Sequence, residues 1–174
     1  MKKVFILITV LLIVITLSNK TANVIIPNNA IRFRVIANSD SREDQNIKKA
    51  VRDNLQQDLY PKLLNAKSHK EAKEVINNNM DSINSNIKKT LKDNNNNTSY
   101  DINYGSNHFP KKIYKGVEYP EGNYESLVVT LGDGVGKNWW CVLFPPLCLL
   151  EGEESTVDKL EYKSFIKELI DKYL

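Results

Sequence analysis

The residues of this chain that could do chemistry are few, and they crowd into Asn138 to Cys148, NWWCVLFPPLC. Both cysteines and both tryptophans lie there, around the Pro145-Pro146 pair. Cys141 could act as a nucleophile with His108 as its base. Yet a thiol flanked by Trp140 and Val142 reads as buried, which raises its pKa and lowers its reactivity. The other reading is a Cys141–Cys148 disulfide across the proline bend. It closes a loop of eight residues, a constraint worth about 2.5 kcal/mol on chain entropy. Two buried free thiols are the alternative. The Gly132-Asp133-Gly134-Val135-Gly136 loop runs into Lys137 like a phosphate loop. A true one needs four residues between its outer glycines and Ser or Thr after the lysine; here there are three, and Asn138 follows. The only histidines, His69 and His108, have no companions at ligand spacing. No G-x-S-x-G elbow occurs and the acids are scattered. The sequence therefore predicts no catalytic residue, metal, cofactor or small-molecule substrate.

What remains is binding. Successive side chains of a strand point to opposite faces, so Trp139 and Trp140 cannot both serve one core. One ring is left for a partner, since Trp is a frequent interface anchor; helices covering both faces would be the alternative. The candidate surface comprises Trp139, Trp140, Phe144, Pro145 and Pro146. The His108-Phe109-Pro110 and Tyr119-Pro120 turns, whose rings have no evident core partner, extend it. Arg32 and Arg34, spaced by two, make a pair of forks for acids. They face either carboxylates of the domain, near Asp40 or Glu43, or an acidic site on a partner.

These residues need a scaffold. Ala30 to Ala37, AIRFRVIA, alternates as a strand with Ile31, Phe33 and Val35 buried. Ser41 with Asp44 marks a helix start. Ile47, Val51, Leu55, Leu59 and Leu63 recur every fourth residue, predicting a helix from 42 to about 59 that Pro61 breaks or bends near Tyr60. Ser68 and Glu71 cap a second helix, its stripe running from Ala72 through Val75, Ile76, Met80, Ile83 and Ile87 to Leu91. β-like runs follow at Tyr100–Tyr104, Lys112–Tyr119 and Glu125–Leu131, the last suited to a central strand. The glycine loop reads as a hairpin or bulged turn into the Trp-Trp strand, and 155–174 as a final amphipathic helix. The fold class is α+β: a mainly antiparallel sheet, two long amphipathic helices between its first strand and the rest, and a C-terminal helix.

The chain opens MKKVFILITVLLIVITLSNK. Lys2 and Lys3 precede an apolar run from Val4 to Leu17, about 21 Å as a helix. That is short for a membrane span and fits the core of a secretory signal peptide, with cleavage after Ser18 or retention as an anchor through residues 4–17. The expected organisation is a leader at 1–18, a linker at 19–29 and one domain at 30–174, with the mature part extracytoplasmic. The whole chain has 24 basic and 21 acidic residues; without Lys2 and Lys3 the balance is 22 to 21, which gives no electrostatic case for nucleic acid.

The stretches IPNNAIRFRVIANSDSREDQNIKKAVRD and NHFPKKIYKGVEYPEGNYESLVVTLGDGVGKNWWCVLFPPLC closely resemble the stage II sporulation protein R family of endospore-forming Firmicutes. The I-R-x-R-V-I-A-N-S-D and G-x-N-W-W-C-V-L-F-P-P-L-C segments carry the resemblance, which runs from about Ile26 to Cys148. It implies a signalling protein made in the forespore and exported across its inner membrane into the intermembrane space. There it would activate a membrane-embedded aspartic protease that removes the pro-sequence of the mother-cell sigma factor E. Two other classes stand beside it. One is an extracytoplasmic, cell-wall-associated enzyme. The other is a peripheral membrane protein entering lipid through Trp139, Trp140, Val142, Leu143 and Phe144, although only Lys137 flanks that segment with charge.

Overall fold

The computed structural model describes residues 24–114, 117–147 and 159–173. The leader at 1–18 and Cys148 lie outside them. Among the described residues no helix is long and apolar enough to cross a membrane.

The alternation of IRFRVI produces strand β2 (Ile31–Ile36), the hub of the domain, β1 being the short strand Val24–Ile25. Ile31, Phe33 and Val35 are fully buried on one face. β6 (Gly122–Leu131) lies parallel to β2 on one side, and β7 (Asn138–Phe144) lies antiparallel on the other. β3 (Tyr100–Phe109) completes the order β3-β6-β2-β7 by pairing antiparallel with β6. A smaller sheet, β1-β5-β4, joins β1 to β5 (Val117–Tyr119) and β4 (Lys112–Tyr114). The fold is α+β, and antiparallel pairs outnumber parallel ones, although the central pair, β2 with β6, is parallel.

The helices cover the face that carries Phe33. α1 spans Arg42–Leu63, and the Ser41 hydroxyl accepts from the Asp44 N–H at 3.1 Å, as the Ser41/Asp44 pair predicts. Pro61 does not break it. The proline sits in the last turn, where it removes one backbone hydrogen bond, while Leu59 and Leu63 on either side are buried in the same stripe. The second predicted helix is instead two. α2 (His69–Asn78) starts at Ser68, and Glu71 returns a carboxylate to the Lys67 N–H at 2.9 Å. α3 (Met80–Asp93) follows a break at Asn79, whose side-chain amide donates to the Val75 carbonyl at 2.7 Å. The Asn77-Asn78-Asn79 run explains the break, because asparagine amides compete for backbone partners that a helix needs. Ile76 and Ile83 remain fully buried on either side of it.

Three further expectations need correction. Lys112–Tyr119 is the hairpin β4–β5. The linker at 19–29 joins the fold from Val24 onward: β1 pairs parallel with β5, and Ile26 is buried. The glycine loop is no hairpin, since β2 lies between β6 and β7. It passes over the end of β2, with the Val135 and Gly136 N–H groups donating to the Asn38 and Ala37 carbonyls. Gly132 and Gly134 have φ of +54° and +64°, and a Cβ on Gly136 would lie 2.2 Å from the Ser39 carbonyl oxygen. Asn38, Ser39 and Asp40 fasten this crossing. Asn38 Oδ1 accepts from the Asp133 N–H, Asp40 Oδ1 accepts from the Lys137 N–H, and Asp44 receives hydrogen bonds from Asn38 and Ser39. The N-S-D turn is thus a structural clasp that fixes where β7 begins.

α4 (Lys159–Tyr173) ends the chain. Its Ile166 is buried with Ile26, Val117, Tyr119, Val142 and Leu147 in a second core beneath the small sheet.

Candidate partner-docking site

The register of β2 with β7 opposes Val35 to Trp139 and Arg34 to Trp140, so the two rings do part to opposite faces. Trp139 turns to the helices and meets Phe33 edge-on at 5.5 Å. Arg52 of α1 lies over its ring at 5.4 Å. Trp140 turns to the other face, and both rings remain half-exposed.

There it joins a stack of rings and guanidinium groups. Arg32 lies over Tyr124 at 3.4 Å and over Phe109 at 5.2 Å. Phe109 meets Trp140 at 5.1 Å, and Arg34 lies over the Trp140 ring at 4.7 Å. Alternation creates this order: Phe109, Tyr124, Arg32, Arg34 and Trp140 all fall on the side-chain rows opposite Phe33.

The two arginines differ in role. Arg32 is 2% exposed and donates to the Pro120 carbonyl at 3.3 Å. It is a packed strut that shows almost no surface of its own. Neither arginine bonds a carboxylate of the domain: Asp40 receives the Lys137 N–H, and no ion pair reaches Arg32 or Arg34 among the described residues. Arg34 is half-buried, its Nε has no hydrogen-bond partner, and burial lowers its pKa without an acid to offset the effect. A cation held in this way, stacked on a half-exposed Trp, is suited to an external anion.

Beside the stack a cleft of about 230 Å³ opens along β7. Phe109, Pro110, Tyr119, Trp139 and Trp140 line it, as do Arg32, Arg52, Lys112, Tyr114, Asn138 and Cys141. Sequence reasoning missed Tyr124, Arg52, Lys112, Tyr114 and Asn138. The β3–β6 register places Tyr124 beside Phe109, while Arg52 comes from α1, Lys112 and Tyr114 from β4 and Asn138 from β7, far apart in sequence.

Other candidates fall away from this surface. His108 is exposed on the opposite row, 3.9 Å from Glu121. Phe144, Pro145 and Pro146 are buried; Phe144 packs on Tyr173 of α4 at 5.7 Å, so the proline bend serves the domain's interior. Cys141 is buried at 3% exposure, and its expected partner, Cys148, lies outside the described residues. Among the described residues no three His, Cys, Asp or Glu side chains cluster as metal ligands would.

Relatives give this geometry a context. A family model for stage II sporulation protein R matches residues 27–154. Stage II sporulation protein R of Bacillus subtilis (strain 168) is 39% identical over 152 residues, covering 87% of this chain and 68% of that protein. No solved structure matches the chain. The matched span holds the clasp, the arginine–aromatic stack and the cleft, and on it the chain belongs to the stage II sporulation protein R family.

Proposed function

We propose that this protein is an exported sporulation signal that activates a membrane-embedded aspartic protease and so triggers removal of the pro-sequence of sigma factor E. Membership of the stage II sporulation protein R family carries the reading. The site's character agrees with it: stacked aromatic and cationic side chains, half-exposed at Trp140 and Arg34, suit a recognition surface. The chain acts as a ligand, without catalysis of its own. Residues 1–18 direct it out of the forespore, and the domain works in the intermembrane space. A Cys141–Cys148 bond would hold the end of β7 there. Its support is the reversal of the chain after Phe144, where the Leu147 N–H returns to the Val142 carbonyl at 3.1 Å.

The test is complementation of a sporulating strain that lacks its own copy. The full chain should restore processing of the sigma factor precursor. Trp140→Ala should accumulate as folded protein at the wild-type level and fail to restore it. Normal processing with Trp140→Ala would move the docking surface elsewhere, and failure of the wild-type chain itself would remove the protease reading.

A further inference from the structure

β3 lies at the far edge of the main sheet from β7. β6 pairs with it on one side, and outside that ladder no hydrogen bond reaches the backbone of Tyr100–Tyr104 among the described residues. Long natural edges usually carry Lys, Pro or a bulge that turns other strands away. β3 has ten residues, YDINYGSNHF, with no Lys, Arg or Pro. Its register with β6 runs from Tyr100 opposite Leu131 to Phe109 opposite Gly122 without a shift. Alternation divides its first half into two rows. Tyr100, Ile102 and Tyr104 are half-buried against the core on the helix side, and Asp101 and Asn103 are exposed on the other. The segment Tyr100-Asp101-Ile102-Asn103-Tyr104 thus reads nearly the same in both directions.

That symmetry selects the occupant. A second copy laid antiparallel about Ile102 sets Tyr100 opposite Tyr104, Ile102 opposite Ile102 and Asp101 opposite Asn103, each pair on one face of the sheet. The polar pair is matched in chemistry. Asn103 accepts from the Asn107 amide at 3.0 Å through its side-chain oxygen, which leaves its own amide N–H groups to donate. The Asp101 carboxylate has no hydrogen bond or ion pair among the described residues and is open to accept. We infer that two copies of this chain pair through β3, antiparallel about Ile102, and join their four-stranded sheets into one continuous sheet. The two-fold axis stands normal to the sheet, so the Asp101–Asn103 bond forms twice and the Tyr and Ile rows continue across the seam. Seven strand spacings of about 4.8 Å then separate the two β7 strands, which sets two Trp140 surfaces about 34 Å apart on the same face. A strand of another protein would meet the same backbone groups but leaves the symmetry of Tyr100–Tyr104 without a use. The pairing stands on β3 alone and goes beyond the reading of the chain as a protease activator.

Sedimentation equilibrium of the full chain in density-matched detergent micelles tests it. The wild type should weigh twice the 19.9 kDa of one chain. Asn103→Asp sets carboxylates opposite each other at both symmetric positions and should weaken the dimer roughly tenfold or more. Adding Asp101→Lys to Asn103→Asp restores opposite charges across the seam and should return association to within about threefold of the wild type. Both positions are exposed, so the variants should melt with the wild type. A monomeric wild type overturns the inference without recourse to any variant. So does a dimer that Asn103→Asp leaves equally tight, which would put the contact elsewhere in the chain, or one that Asp101→Lys fails to rescue. Mass and dissociation constant are read without the protease, so no outcome depends on the signalling role.

Discussion

Arg34→Met separates an internal role for this arginine from an external one. The methionine keeps the length and apolar stem of the side chain while removing its charge and donors. Lost is the contact of the guanidinium with Trp140 at 4.7 Å, worth about 0.5–1 kcal/mol. Relieved is the burial of an Nε–H without a partner, a penalty of about 1–3 kcal/mol. The net runs from about zero to a stabilisation of about 2.5 kcal/mol, which for a domain of this size leaves the melting temperature unchanged or raises it by up to about 10 °C. Arg32→Met differs. It forfeits a charged hydrogen bond to the Pro120 carbonyl and stacking on two rings at a position 2% exposed, about 3–5 kcal/mol, against about 1–3 kcal/mol relieved at its own unpartnered Nε, a net cost centred on about 2 kcal/mol. Thermal melts followed by circular dichroism, paired with precursor processing in complemented cells, give both readouts. Arg34→Met should melt with or above the wild type and lose roughly tenfold or more in signalling. A fall of more than about 5 °C would make Arg34 a structural residue. Normal signalling would mean that the charge never meets the partner.

Trp139→Ala should destabilise by about 2–4 kcal/mol through loss of the contact with Phe33, whereas Trp140→Ala should cost about 1–2 kcal/mol and stop signalling; equal melting temperatures would contradict the division of the two faces. Gly136→Ala would drive a methyl into the Ser39 carbonyl and should lower stability by about 1–3 kcal/mol, read from urea midpoints, and an unchanged midpoint would deny the tight crossing over β2. Hydrogen bonding from the Ser39 hydroxyl holds the Asp44 carboxyl below its ordinary value of 3.8, so its stabilisation is present above that pH and lost as pH falls through the folded pKa. Asp44→Asn should therefore flatten the acid limb of the melting-temperature profile below about pH 4, and an unaltered limb would argue against the clasp. Mass spectrometry of unreduced peptides should find Cys141 joined to Cys148, and free alkylation of both in native protein would dispose of the bond.

Periodicity carried most of the scaffold. The alternation of IRFRVI and the fourfold spacing from Ile47 to Leu63 survive as β2 and α1, because each records which face meets a core. Pro61 misled, since a penalty of one hydrogen bond at a helix end is smaller than the burial of Leu63. Sequence adjacency also misled at the glycine loop: β6 and β7 follow one another along the chain, yet β2 separates them. The parting of Trp139 and Trp140 was available from strand geometry alone. The burial of Phe144 was not, because it depends on the main core and on Tyr173, which α4 brings to its ring from the far end of the chain. Arg32 and Arg34 look equivalent in sequence. Their difference arises from the neighbours each receives, Tyr124 and Phe109 around one and the half-exposed Trp140 beside the other.

Docking of Trp140 on the membrane protease is the central claim, and site-specific photocrosslinking in sporulating cells measures it most directly. The full chain carrying p-benzoylphenylalanine at position 140 is compared with one carrying it at position 89, where the lysine side chain is 79% exposed on α3, away from the stack. The account predicts a crosslinked product containing the protease from position 140 and none from position 89. A product from position 89 alone, or from neither position while processing of the sigma factor precursor proceeds, would contradict it.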